Sequence, residues 1–339
     1  MIEKFENFES DSLYDKIIIG YPSGNVIYVS NDNLNNLLNA NLVIKNDDKD
    51  SLQVNAPNLY FYFDFDTNKI NDFIGKHKRY NLIYNFLFGI FRNEKYFNIK
   101  RDGSIDIIGS SISLMNKGYS EIPYKFASIG GSFYCSENYL INLKNAPDYV
   151  EKNFDCSENK IYSLKGSPYV EKLYNCSSNN IQNLEGIING MTDLKVDWNK
   201  ISKIDYESIK SVETLSFTGN MVNNLDGISL IENLKSLKCD ENFLKDCSEI
   251  THLKNLKELY IGGNNIKKLP PLPTSLEVLS CRNCELRFIN DIEELSNLKS
   301  LYCGDNFFDD EYAIYLKDYC LKNKIYFNND KSTRFRGKI

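Results

Sequence analysis

Asparagine recurs at a near-constant interval through the last two-thirds of the chain, each time inside the same apolar frame. It stands at Asn138, Asn159, Asn179, Asn199, Asn220, Asn242, Asn264 and Asn306, with Cys284 at the one beat that lacks the amide. The steps are 21, 20, 20, 21, 22, 22, 20 and 22 residues. An apolar residue or Cys lies three before each beat, and an aliphatic or aromatic residue lies two after. A unit this short cannot bury its own apolar face, so successive units must stack and share one core. Each unit offers one short parallel strand, as in Leu256-x-x-Leu259-x-Ile261. Nine such strands at roughly 4.8 Å spacing make a sheet about 40 Å long. The Asn side chain is expected to turn inward where the chain leaves the strand, bonding backbone groups and linking one coil to the next. Losing a buried amide of this kind costs roughly 1–3 kcal/mol. Cys284 would act there through a weaker S–H donor.

The expected fold is therefore an α/β solenoid with a parallel sheet on its concave face. Residues 1–100 lack the repeat and are expected to form a small α+β N-terminal cap domain. Ile17–Ile19, Val26–Val29 and Leu59–Phe65 have strand composition, and Tyr21–Asn25 resembles a hairpin connection. From about Asp72 to Phe91 the spacing turns helical, with Tyr80, Ile83, Tyr84, Leu87, Phe88 and Phe91 on one side and Leu82, Phe86 and Ile90 on the other. A helix apolar nearly all round is expected to be buried, covering the open end of the solenoid. The solenoid spans 101–308, one degenerate coil with Lys117 at its beat followed by nine fuller coils. Residues 309–329 form a C-terminal helical cap: Asp309, Asp310 and Glu311 suit a helix start. Tyr312, Tyr315, Leu316 and Tyr319 follow helical spacing, and Ile325–Phe327 reads as a last strand. Residues 330–339 form a flexible basic tail.

Composition narrows the setting. A net charge of −6 argues against a general nucleic-acid binder. The 44 Asn, and 33 Lys against 7 Arg, fit an AT-rich coding genome such as that of a virus or low-GC bacterium. The first residues, Met1–Ser10, have no secretory-signal pattern, and no apolar run is long enough to span a bilayer. Six of the nine cysteines (Cys135, Cys156, Cys176, Cys239, Cys281, Cys303) share one core position, so a reducing compartment, cytoplasmic or host-cytoplasmic, is expected.

The segment Asn153-Phe-Asp-Cys-Ser-Glu-Asn-Lys-Ile-Tyr-Ser-Leu-Lys-Gly-Ser-Pro-Tyr-Val170 resembles the short Cys/Asn-type leucine-rich repeats of phage, giant-virus and bacterial proteins. The Asp102-Gly-Ser-Ile-Asp106 lead-in is similar to the segment that introduces such arrays. Leu269-Pro-Pro-Leu-Pro-Thr-Ser-Leu276 resembles the linker of secreted bacterial effectors with leucine-rich repeats. The resemblance implies protein recognition and no specific chemistry.

Strand residues alternate between core and concave face. Counting the core Cys or aliphatic as position six, positions three, five, seven and eight look outward. They carry nine acids, Glu137, Asp155, Glu158, Asp193, Asp197, Asp240, Glu241, Glu258 and Asp305, against Lys195, Lys238 and Arg282. The chain's one Trp, Trp198, falls beside Asp197. The candidate partner-binding set is Trp198, Asp197, Lys195, Asp240, Glu241, Glu258, Tyr260, Tyr302 and Tyr134. An acidic field would steer a basic protein partner and repel nucleic acid; the plainer alternative is that the acids only keep the face soluble. No cofactor, metal site or catalytic set is expected.

Other motifs carry less. Cys281-Arg-Asn-Cys284 has metal or redox spacing, but the repeat frame already accounts for both thiols and no second pair stands near. Gly20–Gly24 lacks the Lys of a phosphate loop. Asp64 and Asp66 could share a strand face as a carboxylate pair, yet nothing else joins them. His77, in Lys76-His-Lys-Arg79, could face an anionic membrane, though it fits the solvated start of a buried helix better. The expected function is a non-enzymatic protein–protein interaction module. The alternative is a secreted or injected effector whose first hundred residues hold an activity and whose repeats select the target.

Overall fold

The computed structural model describes residues 18–20, 43–45, 51–54, 79, 82–100 and 102–330. The chain divides into two compact units, Met1–Ile90 and Phe91–Ile339. In the first, β1 (Ile18–Gly20) pairs parallel with β3 (Ser51–Val54), and β2 (Val43–Lys45) pairs antiparallel with β3. Sequence reading anticipated β1 within one residue but not β2 or β3. The expected strands 26–29 and 59–65, the 21–25 connection, Asp64, Asp66 and His77 lie outside the described residues.

The helix α1 covers 82–91; the start expected near Asp72 lies outside the described residues. Its burial corrects the expectation of a helix buried all round. Ile83 and Leu87 are buried, one turn apart, whereas Leu82, Phe88 and Ile90 are exposed. Tyr84 and Phe88 stack along the helix at 5.7 Å. The apolar composition was read without direction; only the i, i+4 pair is covered.

The second unit is the solenoid. Its main sheet has eleven strands and is parallel throughout. It runs from β6 (Ile112–Ser113) through β8 (Phe133–Tyr134), β10 (Phe154–Asp155), β12 (Leu173–Asn175), β13 (Asp193–Lys195) and β14 (Thr214–Ser216). It continues through β15 (Ser236–Lys238), β16 (Glu258–Tyr260), β17 (Val278–Ser280) and β18 (Ser300–Tyr302) to β19 (Tyr326–Asn328). The degenerate coil thus contributes β6, and the cap contributes β19, one residue later than Ile325. The helix α2 (Asp310–Lys322) is capped by the Asp309 carboxylate, which accepts the Tyr312 N–H at 2.8 Å. It buries Leu316 and Cys320. Tyr312 and Tyr319 instead donate their hydroxyls to the carbonyls of Ile289 and Ile292, stitching the helix to the last coils.

A second, five-stranded sheet was not anticipated. It contains β4 (Phe97–Ile99), β5 (Ile105–Ile107), β7 (Phe126–Ile129), β9 (Tyr149–Val150) and β11 (Tyr169–Val170). After β11 this side of the coil changes. The coils ending at Asn220, Asn242, Asn264 and Asn306 carry 3-10 turns at Glu207–Ile209, Ile228–Leu230, Ser248–His252 and Ile292–Glu294. The 20-residue coils ending at Asn199 and Cys284 carry none, so the added one or two residues are taken up as a tight turn. The core changes in step. The inward residue two before the core Cys position is aromatic in the first coils, where Phe133, Phe154 and Tyr174 contact in series and Phe126 of β7 packs on Phe133, ring centroids 5.1–5.8 Å apart. From Leu194 onward it is leucine, and all are fully buried.

Candidate functional site

The turn that leaves each strand is built from two consecutive residues. The first is left-handed in all nine coils: Glu137, Glu158, Ser178, Trp198, Gly219, Glu241, Gly263, Asn283 and Asp305 have φ between 50° and 69°. The second is the recurring Asn, which this kink aims into the core. Asn199 shows the pattern: its Nδ2 donates to the carbonyls of Cys176, Val196 and Asp197, each at 3.1 Å, and its Oδ1 accepts the Ile181 N–H at 3.0 Å. Asn138, Asn159, Asn179, Asn220, Asn242, Asn264 and Asn306 donate in the same way to both coils. At the amide-less beat, Cys284 gives one S–H contact of 3.5 Å to the Ile261 carbonyl. The same left-handed position follows from β6, where Asn116 has φ 52° and Lys117 donates its N–H to Asn138.

Trp198 therefore sits at the edge of the concave face, at the left-handed turn, and is 59% exposed. Its neighbour on the sheet, Asp197, is committed to structure: Oδ1 accepts Ser216 Oγ at 2.5 Å and Thr218 N at 2.8 Å. Asp155 holds Ser157, Glu258 accepts Ser236 Oγ, and Asp240 accepts the Gly262 N–H at 2.9 Å. Three of the nine acids, Asp197, Asp240 and Glu258, thus tie adjacent coils together, while Asp155 is used within its own turn. Burial pushes the Asp240 carboxyl up to about 6, against the lowering effect of the Gly262 N–H.

Strand register places Lys195, Ser216, Lys238, Tyr260, Ser280 and Tyr302 in one row, one per coil. Tyr134 lies three strands before Lys195 on the same row. Two cations outside the candidate set occupy the aromatic faces: Lys238 Nζ lies 5.0 Å from the Tyr260 centroid and Arg282 Cζ 5.4 Å from that of Tyr302. Arg282 also donates to Asn328 on β19, and Tyr302 meets Tyr326 at 5.5 Å. The C-terminal aromatics are thus partly used inside the fold, while Trp198 faces solvent. Two apolar side chains missed at the sequence level stand on the edge nearby: Met221 and Phe243, each the residue after its Asn, are 51% and 55% exposed. The signal was an apolar residue where Lys160, Asn180, Lys200 and Asn265 stand in other coils.

All nine cysteines are free and buried, Cys281 and Cys284 included. Among the described residues no three metal-ligating side chains converge, and no helix is long and apolar enough to cross a membrane.

A family model for leucine-rich repeats, in two copies, matches residues 232–274, two of the coils whose ladder geometry is given above. The chain is a leucine-rich repeat protein. A 75-residue stretch is 37% identical to disease resistance protein RRS1 of Arabidopsis thaliana, covering 21% of this chain and 5% of that protein. The chain thus spans only a small part of the curated relatives it matches. Similar solved structures include a leucine-rich repeat protein of Leptospira interrogans, with 18% identity, TM-score 0.44, and 60% and 64% of the two chains covered. YopM of Yersinia enterocolitica is another, with 24% identity, TM-score 0.45, and 55% and 44% covered.

Proposed function

We propose that this leucine-rich repeat array is a protein-recognition module without a catalytic step, binding a partner along the concave face and its turn edge. The observation that carries this reading is Trp198. A bulky residue in the left-handed region costs roughly 1–2 kcal/mol and turn glycine would avoid it, as at Gly219 and Gly263. The indole rests on Gly219 yet leaves most of its surface to solvent. Large aromatics exposed on a rigid surface are enriched among binding anchors. Met221 and Phe243 extend the apolar edge. The flanking acids Glu241 and Asp197 favour a basic partner segment, and a preformed solenoid loses little entropy on docking. Nine unpaired buried thiols suit a reducing cytoplasm, the cell's own or a host's.

The test is affinity capture from candidate host lysates, comparing the wild-type chain with a Trp198→Ala, Tyr260→Ala variant of equal stability. A partner held by the wild type and lost by the variant is expected. A partner retained equally by both would remove the concave edge from the proposal.

A second reading, an effector of viral or bacterial origin, draws on the Leu269–Leu276 segment and on the separate unit Met1–Ile90. It predicts an activity lost when residues 1–90 are removed from the chain. An unchanged activity in the truncated chain would reject it.

A further inference from the structure

We propose that Asn189 is a self-modifying position, an asparagine that its own surroundings drive to aspartate and isoaspartate while the ladder asparagines stay intact. Asn189-Gly190 is the one Asn-Gly pair in the chain, among 44 Asn. It sits in the turn that enters β13, between the ring of Tyr169 in the preceding coil and Ser211 in the following one. Packing demands the glycine, because a Cβ at position 190 would fall 2.6 Å from Cζ of Tyr169. The same glycine carries no side chain to crowd the approach of its nitrogen to the amide before it. Asn189 and Gly190 are both half-buried, and Ile188 beside them is exposed, so water reaches the turn.

The amide is held differently from those of the ladder. Its Oδ1 accepts two bonds from Ser211, the N–H at 3.2 Å and the hydroxyl at 2.6 Å. The single proton of that hydroxyl is shared with the Met191 carbonyl, which lies farther off at 2.9 Å. A backbone N–H can face only the amide oxygen, so Nδ2 is turned away from Ser211. Among the described residues, neither Nδ2 of Asn189 nor the N–H of Gly190 has a hydrogen-bond partner. In Asn179 the leaving nitrogen is instead tied down, donating to the carbonyls of Cys156, Cys176 and Ser177. Two donors on the Asn189 oxygen make Cγ more electrophilic and stabilise the oxyanion formed by attack there. The nucleophile is the adjacent Gly190 nitrogen, so the step is intramolecular. That nitrogen gives its proton to hydroxide and bonds to Cγ, and the carbonyl electron pair moves onto Oδ1. The pair returns as the Cγ–Nδ2 bond breaks, and Nδ2 takes a proton from water and leaves as ammonia. Water then opens the five-membered imide, at Cγ to give aspartate or at the main-chain carbonyl to give isoaspartate. Isoaspartate lengthens the main chain by one methylene at the entry to the strand that leads to Trp198.

The site is independent of Trp198 and of the concave reading. It is tested by incubating the folded full chain at mildly alkaline pH and mapping its tryptic peptides by mass spectrometry. The peptide Leu173–Lys195 holds Asn179 and Asn189 together, so the ladder supplies its own control. A protein isoaspartate methyltransferase serves as the probe for the rearranged product. Conversion of Asn189 with Asn179 intact is expected. It should run faster in the folded chain than in the same peptide free in solution, because only the fold supplies Ser211. Ser211→Ala, checked for an unchanged urea midpoint, is expected to slow conversion about fivefold, the worth of one neutral hydrogen bond. A folded chain that converts no faster than the free peptide would overturn the proposal, with or without a stable variant. Equal or faster conversion in Ser211→Ala would also overturn it, making Ser211 a restraint on the amide. Equal conversion at Asn179 would do the same, since the reaction would then belong to the unfolded chain.

Discussion

The indole of Trp198 lies on the α-carbon of Gly219, the residue at the same left-handed turn position one coil later. A Cβ built on Gly219 would fall 2.6 Å from Cδ2 of the ring and 2.7 Å from Cζ3. Glu241 stands over Gly263 in the same way, its carboxyl carbon 2.7 Å from where a Cβ would be. In both pairs a large residue at the turn leans onto a following glycine, which serves both the positive φ and the close approach.

Gly219→Ala is expected to cost about 1–3 kcal/mol, from left-handed strain and displacement of the ring. The chain has one Trp, so its fluorescence reports this contact alone. Urea unfolding should show the lower midpoint, and native emission should shift. An unchanged spectrum would mean that the ring does not rest on Gly219 in solution.

Trp198→Gly separates stability from recognition. Relief of the left-handed strain and the added freedom of the unfolded chain oppose each other, each worth about 1 kcal/mol. Unfolding free energy should stay within about 1 kcal/mol of wild type while partner capture falls. A loss above about 2 kcal/mol would make the indole a structural element instead of an anchor.

The ladder can be tested from both sides. Asn199→Ala leaves the carbonyls of Cys176, Val196 and Asp197 and the N–H of Ile181 without their partner. A cost of about 2–3 kcal/mol is expected. Cys284→Asn should restore the missing amide and raise stability by about 0.5–1.5 kcal/mol, read as a higher thermal midpoint. A neutral or lower midpoint would show that this coil has closed around the smaller side chain.

Asp240 makes stability depend on pH in an unusual direction for a carboxylate. Its folded value, about 6, lies above the ordinary 3.8 because burial disfavours the charge. Between these values the folded state holds the extra proton. Stability should therefore fall as pH rises from about 4 to about 6, by roughly 2–3 kcal/mol from this group. Asp240→Asn should flatten that slope in unfolding curves measured across the range. A slope identical to wild type would assign the dependence to other groups.

The ladder was legible because it needs one residue type at one spacing. Asn138 through Asn306 serve backbone groups that every coil leaves open, so the requirement repeats with the coil. The strand core was legible for the same reason, since Phe154, Leu194 or Leu259 fill equivalent places whatever their size. The β5–β7–β9–β11 sheet was not, because pairs such as Tyr149–Val150 and Tyr169–Val170 are too short to show a period. What the acids of that face bond to was not legible: a carboxylate such as Asp197 looks free until its partners, Ser216 and Thr218 of the next coil, are brought beside it, although its charge remains.

The sequence alone determined the stacking unit, its length and the inward residues, because a local period of 20–22 residues leaves only stacked coils as a way to cover the apolar side. Tertiary structure decided which exposed residues remain available. Lys238 settles on Tyr260, Arg282 spans to Asn328, and Trp198 is left facing solvent above Gly219. Those outcomes depend on contacts between residues of different coils, and the repeat constrains where their backbones lie but not which side chains meet.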